Sequence, residues 1–278
     1  MKKCRAAAER DEVMNGKFYI SVDCEGCACV VGEPGKGLGT GENYQFARRQ
    51  ATREANAAAR ALFDAGAREV VVWDSHGTGV NLLYDELDPR CSILLGAGHR
   101  GRFAGMDGTY DAVLFVGYHA REDTADAVLA HTFSSQAFQY YRLNGAEAGE
   151  LTVDGAYAGE LGVPVLFCSS DEAGVREAKA LFGDIGVVAT KKALSWTSAV
   201  SRHPDAVCQD IYHQVQAALE RLPQLHPFVL KKPIEVEIRY KRMEDAARAA
   251  LWDREGRPFA RPDPFTRSGV LERVTDLF

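Results

Sequence analysis

Four side chains with the chemistry of metal ligands follow three apolar runs: Asp23 and Glu25 in SVDCEG, His76 in DSHG and His119 in GYHA. The runs before them are KFYISV, REVVVW and DAVLFV. Carboxylate oxygens and neutral imidazoles are hard-to-borderline donors. Two of each suit Zn²⁺ or Mn²⁺, above all a pair of ions bridged by a carboxylate. Taken singly, each has an ordinary role, Asp23 as a turn cap and the histidines as hydrogen-bonded loop residues. Convergence changes the balance. In a parallel α/β sheet ligands bind just outside the carboxyl ends of the strands, and three strands would deliver all four groups to one edge.

The elements that must do so alternate along the chain. Residues 17–23, 69–73, 91–98, 112–117 and VPVLFCSSD read as strands, short, β-branched and bounded by glycine or turn residues. Residues 43–66 are Ala-rich with helical spacing and stop at Gly66, a C′ glycine. NLLYDELDP reads as a short helix, FQYYRLNG as a segment ending in an Asn-Gly turn, and 149–162 as a small-residue helix. A helix follows Asp171 as N-cap, DIGVVATKKA reads as one strand, and 205–222 is amphipathic with Pro204 at its start. The alternation predicts an α/β fold: three layers, a mostly parallel sheet with helices on both faces. After Leu222 a Pro-punctuated linker, the alternating IEVEIRY and the helical MEDAARAALWD predict a smaller α+β subdomain. The expected division is a polar N-terminal extension over 1–16, an α/β domain carrying the metal site over 17–222, and the smaller α+β region over 223–278.

A formal net charge of −6 over 278 residues, with charges interspersed, argues against a nucleic-acid partner. No apolar run approaches the ~18 residues of a membrane span, and the start has no apolar signal region. Seven cysteines, an odd number, fit a reduced cytoplasmic chain with free thiols. Cys24, Cys27 and Cys29 form C-x2-C-x-C but lack a fourth soft ligand at suitable spacing. Strand alternation turns Cys24 away from Asp23 and Glu25, into packing, so no dedicated cysteine metal site is expected. GEPGKGLGTG matches neither a Walker loop nor a dinucleotide fingerprint and reads as a loop beside the site. GAGHRGRF reads as a solvated loop.

In order and spacing, SVDCEG, DSHG, GYHA, the following His131 and Gly149-Glu150 resemble the DppA-type D-aminopeptidases, the M55 family of metallopeptidases, over roughly residues 17–240. The resemblance implies that Asp23, Glu25, His76, His119 and Glu150 hold two zinc ions per chain, with manganese an alternative. Asp23 would bridge them, Glu25 and His119 completing one site and His76 and Glu150 the other. His131 falls on the family's catalytic histidine, often labelled a nucleophile. Water activated by the metals is already nucleophilic near neutral pH, so an imidazole is more useful moving protons or polarising the carbonyl. Without the resemblance, Glu150 is only a first-turn carboxylate favourable to the helix dipole.

The family likeness further implies release of N-terminal, D-configured residues from short peptides. It also implies a homo-oligomer, a decameric ring whose sites face an inner chamber. Asp154 stands where relatives usually have Asn, and a charge there could alter selectivity, for example by favouring a free amino group. Ser169-Ser170-Asp171 replaces a common Gly-Asp-Asp, and RPDPFTRSGVLERVTDLF matches poorly. Three rivals stay open: a hydrolase of another amide or modified amino acid on the same site, a catalytically silent metal-binding relative, and a cysteine-based redox protein.

Overall fold

The computed structural model describes residues 15–39, 41–99 and 101–278. The expected polar extension over 1–16, Cys4 included, lies outside the described residues as far as residue 14. The chain runs β1 (Lys17–Val22), α1 (Glu42–Asp64), β2 (Glu69–Asp74), β3 (Ser92–Leu94), β4 (Ala112–Val116), β5 (Phe138–Leu143), β6 (Ala146–Ala148) and α2 (Glu150–Glu160). It continues with β7 (Val165–Ser170), α3 (Glu172–Phe182), β8 (Gly186–Ala189), β9 (Lys191–Ser195), β10 (Ser198–Ser201), α4 (Pro204–Leu219), β11 (Ile234–Tyr240), α5 (Met243–Arg248) and β12 (Thr266–Leu271).

Six strands form a wholly parallel sheet in the order β3-β2-β1-β4-β7-β8. Parallel strands are buried on both faces, which is why their sequences are continuous apolar runs. Phe18, Ile20 and Val22 point into a core with Ala47, Ala51, Ala55 and Ala58 of α1 and Val207, Ile211 and Val215 of α4. Tyr19, Val113 and Phe115 point the other way, toward Leu151 of α2 and Ala178 of α3. These are the three expected layers. The chain works outward from β1 through β2 to β3, then returns to β4 on the other side, so the order reverses between β1 and β4. That switch point is where open α/β sheets hold ligands.

A second sheet, β12-β11-β5-β6, is antiparallel throughout. It draws β5 and β6 from before residue 222 and β11 and β12 from after it. Ile234, Val236 and Ile238 alternate inward onto Val153 and Ala156 of α2. Helix α2 therefore lies between the two sheets, with Leu151 and Ala158 in one core and Val153 and Ala156 in the other. Its small residues permit this: a Cβ on Gly159 would stand 1.8 Å from the Phe228 carbonyl oxygen.

Three local expectations are corrected. The strand expected over DIGVVATKKA divides at Thr190 into β8, in the parallel sheet, and β9, which forms a hairpin with β10. NLLYDELDP contains only a 3₁₀ turn at Tyr84–Glu86. MEDAARAALWD is helical only to Arg248, because the chain turns away into a bridge between Trp252 and Pro258.

Candidate metal centre

Two loops meet at the switch point. After β1, the Asp23 amide donates to the Val116 carbonyl (2.8 Å) and the Gly26 amide to the Gly117 carbonyl (2.8 Å). This approach requires glycine on both sides. A Cβ on Gly26 would lie 1.7 Å from the Tyr118 carbonyl oxygen, and one on Gly117, whose φ is +70°, would lie 2.3 Å from that of Asp23. The glycines of SVDCEG and GYHA thus bring the carboxylates of one loop against the imidazole of the other.

The remaining side chains are placed by buried carboxylates that are not themselves in the centre. Asp74, at the end of β2, accepts from the amides of Asn81 (2.6 Å) and Leu82 (2.8 Å) and from the Tyr84 hydroxyl (3.0 Å). It thereby folds the loop that carries His76. Asp171 caps α3 as expected, accepting from the Gly174 amide (2.8 Å), while its other oxygen accepts from the Val128 amide (2.7 Å) and fixes the approach to His131. Glu150 opens α2 and accepts from the Phe133 amide (2.7 Å).

All six residues singled out in the sequence converge. His76 Nδ1 is 2.8 Å from Asp23 Oδ1 and 3.0 Å from Glu25 Oε2. His119 Nε2 is 3.4 Å from Asp23 Oδ2 and 3.3 Å from Glu150 Oε1. His131 Nε2 is 4.0 Å from Glu150 Oε1, and its ring stacks on His119 at 3.9 Å. The two oxygens of Asp23 therefore face two different imidazoles. His119 Nδ1 donates to the Ala120 carbonyl (2.9 Å) and His131 Nδ1 to that of Leu129 (2.7 Å). Both rings then present an unprotonated Nε2 to the centre when neutral, the tautomer a ligating or proton-accepting histidine needs.

The donor set fits a metal. Asp23, Glu25 and His119 form one group of ligand atoms lying within 4.8 Å of one another, and His119, His131 and Glu150 form another. Among the described residues, buried His119 Nε2 and Glu25 Oε2 have charged neighbours, Glu150 Oε1 at 3.3 Å and His76 Nδ1 at 3.0 Å, but no hydrogen bond of good geometry; the His76 Nδ1 bond goes to Asp23. Orphans of this kind are costly unless something else satisfies them. Ligands at zinc bond lengths in a tetrahedron lie about 3.4 Å apart, close to the spacing around His119 Nε2. Cysteine takes no part in either group. Cys24 packs into the α1 core as expected, Cys27 is buried, and Cys29 is exposed.

Without a cation the charges are poorly balanced. Burial, then the neighbouring Glu25 charge, pushes the Asp23 carboxyl up to about 7. Burial opposes ionisation of Glu150 too, but His119 overrides it and holds that carboxyl down to about 2. Burial likewise opposes charging of His119, yet Glu150 and Asp23 raise it to about 10. His76 is raised despite burial, chiefly by Glu25, whereas burial and the His119 charge lower His131. A metal ion needs deprotonated ligands, so at neutral pH it must expel protons held by His119 and His76. Affinity is therefore expected to rise with pH, with at least about one proton released per ion near pH 7. Calorimetric titration with Zn²⁺ in buffers of different ionisation enthalpy checks this, and a binding enthalpy independent of buffer contradicts it.

The expectation for Asp154 is corrected. One turn after Glu150, it is fully buried and takes two hydrogen bonds from Arg102 and one from Tyr118 (2.6 Å), whose hydroxyl also bonds Ser21 Oγ (2.8 Å). Its charge is engaged by a guanidinium. GAGHRGRF is correspondingly not a plain solvated loop, since Arg102 turns inward and stacks over Trp73 at 4.9 Å. Asp154→Ala would leave that guanidinium buried without its partner. A loss of about 3–5 kcal/mol in unfolding free energy is expected, measurable by denaturant titration.

Comparison with known proteins identifies the family. The family model Peptidase M55, described as D-aminopeptidase, matches residues 16–262. A D-aminopeptidase of Bacillus subtilis (strain 168) is 30% identical over 212 residues, 76% of each chain. The solved structure described as Zn-dependent D-aminopeptidase DppA from Bacillus subtilis, a self-compartmentalizing protease, aligns with a TM-score of 0.84 at 26% identity. The alignment covers 94% of this chain and 93% of that one.

Proposed function

The chain belongs to the M55 family of D-aminopeptidases, and from that membership we propose a zinc-dependent aminopeptidase that releases an N-terminal D-amino acid from short peptides at a dinuclear centre. The observation that carries the proposal is Asp23, whose two oxygens address His76 on one side and His119 on the other. That is the disposition of a bridging carboxylate. Glu25 and His119 would complete one site, and His76 and Glu150 the other. Zinc takes precedence over manganese because the related structure is described as zinc-dependent.

When bound there, zinc supplies Lewis acidity toward the scissile carbonyl and a lowered pKa for water. The chain's own residues do the rest. The Gly26–Gly117 crossing and the Asp74-folded loop hold the donors rigidly, so little reorganisation accompanies reaction. His131 is anchored through Nδ1 on Leu129, and its burial favours the neutral ring. Its Nε2 can accept a proton as attack proceeds and return it to the departing amine.

Purified enzyme assayed on matched D- and L-dipeptides and on simple amides tests the proposal. A kcat/KM about 10²-fold or more in favour of an N-terminal D-residue is expected. Faster turnover of a different amide would favour the first rival. Intact metal with no turnover across the panel would favour the silent one.

The proposal extends to assembly as a homo-oligomer, a decameric ring with inward-facing sites. It is supported by the description of the related structure as self-compartmentalizing and by the exposed apolar Leu194 and Val200 on the β9–β10 hairpin. A cytoplasmic location is supported by six described cysteines that are all free. Among the described residues no helix is long and apolar enough to cross a membrane.

A further inference from the structure

The turn that carries Glu25 is buried yet belongs to no helix or strand, so its backbone groups must be satisfied from elsewhere. Some partners have been given: Gly26 N–H bonds Gly117. Three more are local, the Cys27 and Val30 amides donating to the carbonyls of Cys24 (3.2 Å) and Cys27 (3.3 Å) and the Cys24 amide to Asp23 Oδ1 (2.9 Å). Several others are side chains distant in sequence. The Ala28 amide donates to Glu54 Oε1 (2.8 Å) and the Cys29 amide to Ser201 Oγ (2.7 Å). The carbonyls are held by two consecutive residues at the β8–β9 junction. Thr190 Oγ1 donates to the Gly26 carbonyl. Lys191 Nζ donates to the carbonyls of Glu25, Cys27 (2.7 Å) and Val30 (2.7 Å).

An ammonium has three protons and no acceptor, and here all three meet carbonyls of a single turn. Lys191 is 2% exposed. A buried lysine is costly unless its charge is compensated, and here three carbonyl dipoles do so together with the nearby carboxyl groups of Asp171, Glu54 and Glu25. Lys191 meets Glu25 at the main-chain carbonyl rather than at the carboxylate.

We infer that Thr190 and Lys191 are positioning residues of the metal centre, their side chains fixing the turn whose one carboxylate, Glu25, completes the first ion's site. The inference rests on the dinuclear zinc reading. The main sheet ends at Ala189 and the exposed hairpin begins at Lys191, so the same two residues also join the hairpin to the centre.

The test is zinc affinity and stoichiometry, measured on the full chain by competition with a chromophoric chelator. The proteins are wild type, Lys191→Met and Thr190→Val, each checked for native fold by circular dichroism. Lys191→Met keeps the apolar stem and removes every donor. For one of the two ions the dissociation constant is expected to rise about 10- to 100-fold, the range for lost outer partners of a metal site. The other ion should be held as in wild type. Thr190→Val, which removes one hydrogen bond, should move in the same direction by about tenfold. A role in packing alone would lower the unfolding temperature and leave zinc affinity unchanged, and that result in either folded variant overturns the inference. If Lys191→Met does not fold, Thr190→Val decides. Wild type that takes up no zinc overturns the dinuclear reading first, and is distinguished from failure of the inference by that fact.

Discussion

Asp23→Ala is expected to strip the centre, with zinc falling from about two ions per chain to fewer than one and turnover falling at least about 10³-fold. No other group can replace it. Each of its oxygens faces a different imidazole, His76 at 2.8 Å and His119 at 3.4 Å. Removing the carboxylate takes one donor from each site and also the negative charge between two buried rings. Asp23→Asn is nearly isosteric and separates shape from charge. Its amide offers only one oxygen and cannot bridge, so it should behave like Ala in metal content. Plasma mass spectrometry on protein dialysed gently in parallel with wild type checks the prediction. Full retention of metal in Asp23→Ala would move the centre away from the carboxylates and return the cysteines of SVDCEGCACV to consideration.

His131→Ala has the opposite signature: zinc retained near the wild-type content, and kcat reduced about 10²- to 10⁴-fold, the range of a lost general acid–base. The geometry makes this a sharp distinction. His131 lies with His119 and Glu150 in a group able to hold an ion, but its Nε2 is 4.0 Å from Glu150 whereas that of His119 is 3.3 Å. A ligand would take its metal with it when deleted. A proton carrier would not, and its loss would also flatten the limb of the pH–rate profile that it controls. Loss of one zinc from His131→Ala would make it a ligand and leave proton transfer to another group.

How much of this is visible in the sequence depends on how local each cause is. Asp23, His76 and His119 are legible because each stands just beyond the end of a buried strand, and apolar runs locate those ends. Glu25 comes with Asp23. Glu150 is different: a carboxylate in the first turn of a helix has a sufficient local explanation, and its approach to His119 depends on how α2 is wedged between two sheets. The parallel sheet is legible for the same reason as the strand ends. The split at Thr190 is not, since β8 and β9 form one continuous β-prone stretch and only their pairing partners differ. Asp154 looks like a charge added to the site because nothing near it in sequence reveals Arg102. Lys191 is likewise an ordinary lysine in KKALS until the turn at 24–30 folds around it. Long-range charge pairing leaves no periodic trace.

The wedged position of α2 and the separation of the two crossing loops also bear on the order of events when the chain is made. Of the five residues that would hold metal, only Asp23 and Glu25 are neighbours in sequence. The others arrive with β2, β4 and α2, and β1 cannot bind β4 until the helix and strands between them have been synthesised. Contacts so distant in the chain form slowly. An ion therefore cannot nucleate this fold in the way zinc organises a small finger domain. It would instead be captured by a cavity already built, which would make loading a step after folding, governed by the free metal of the compartment.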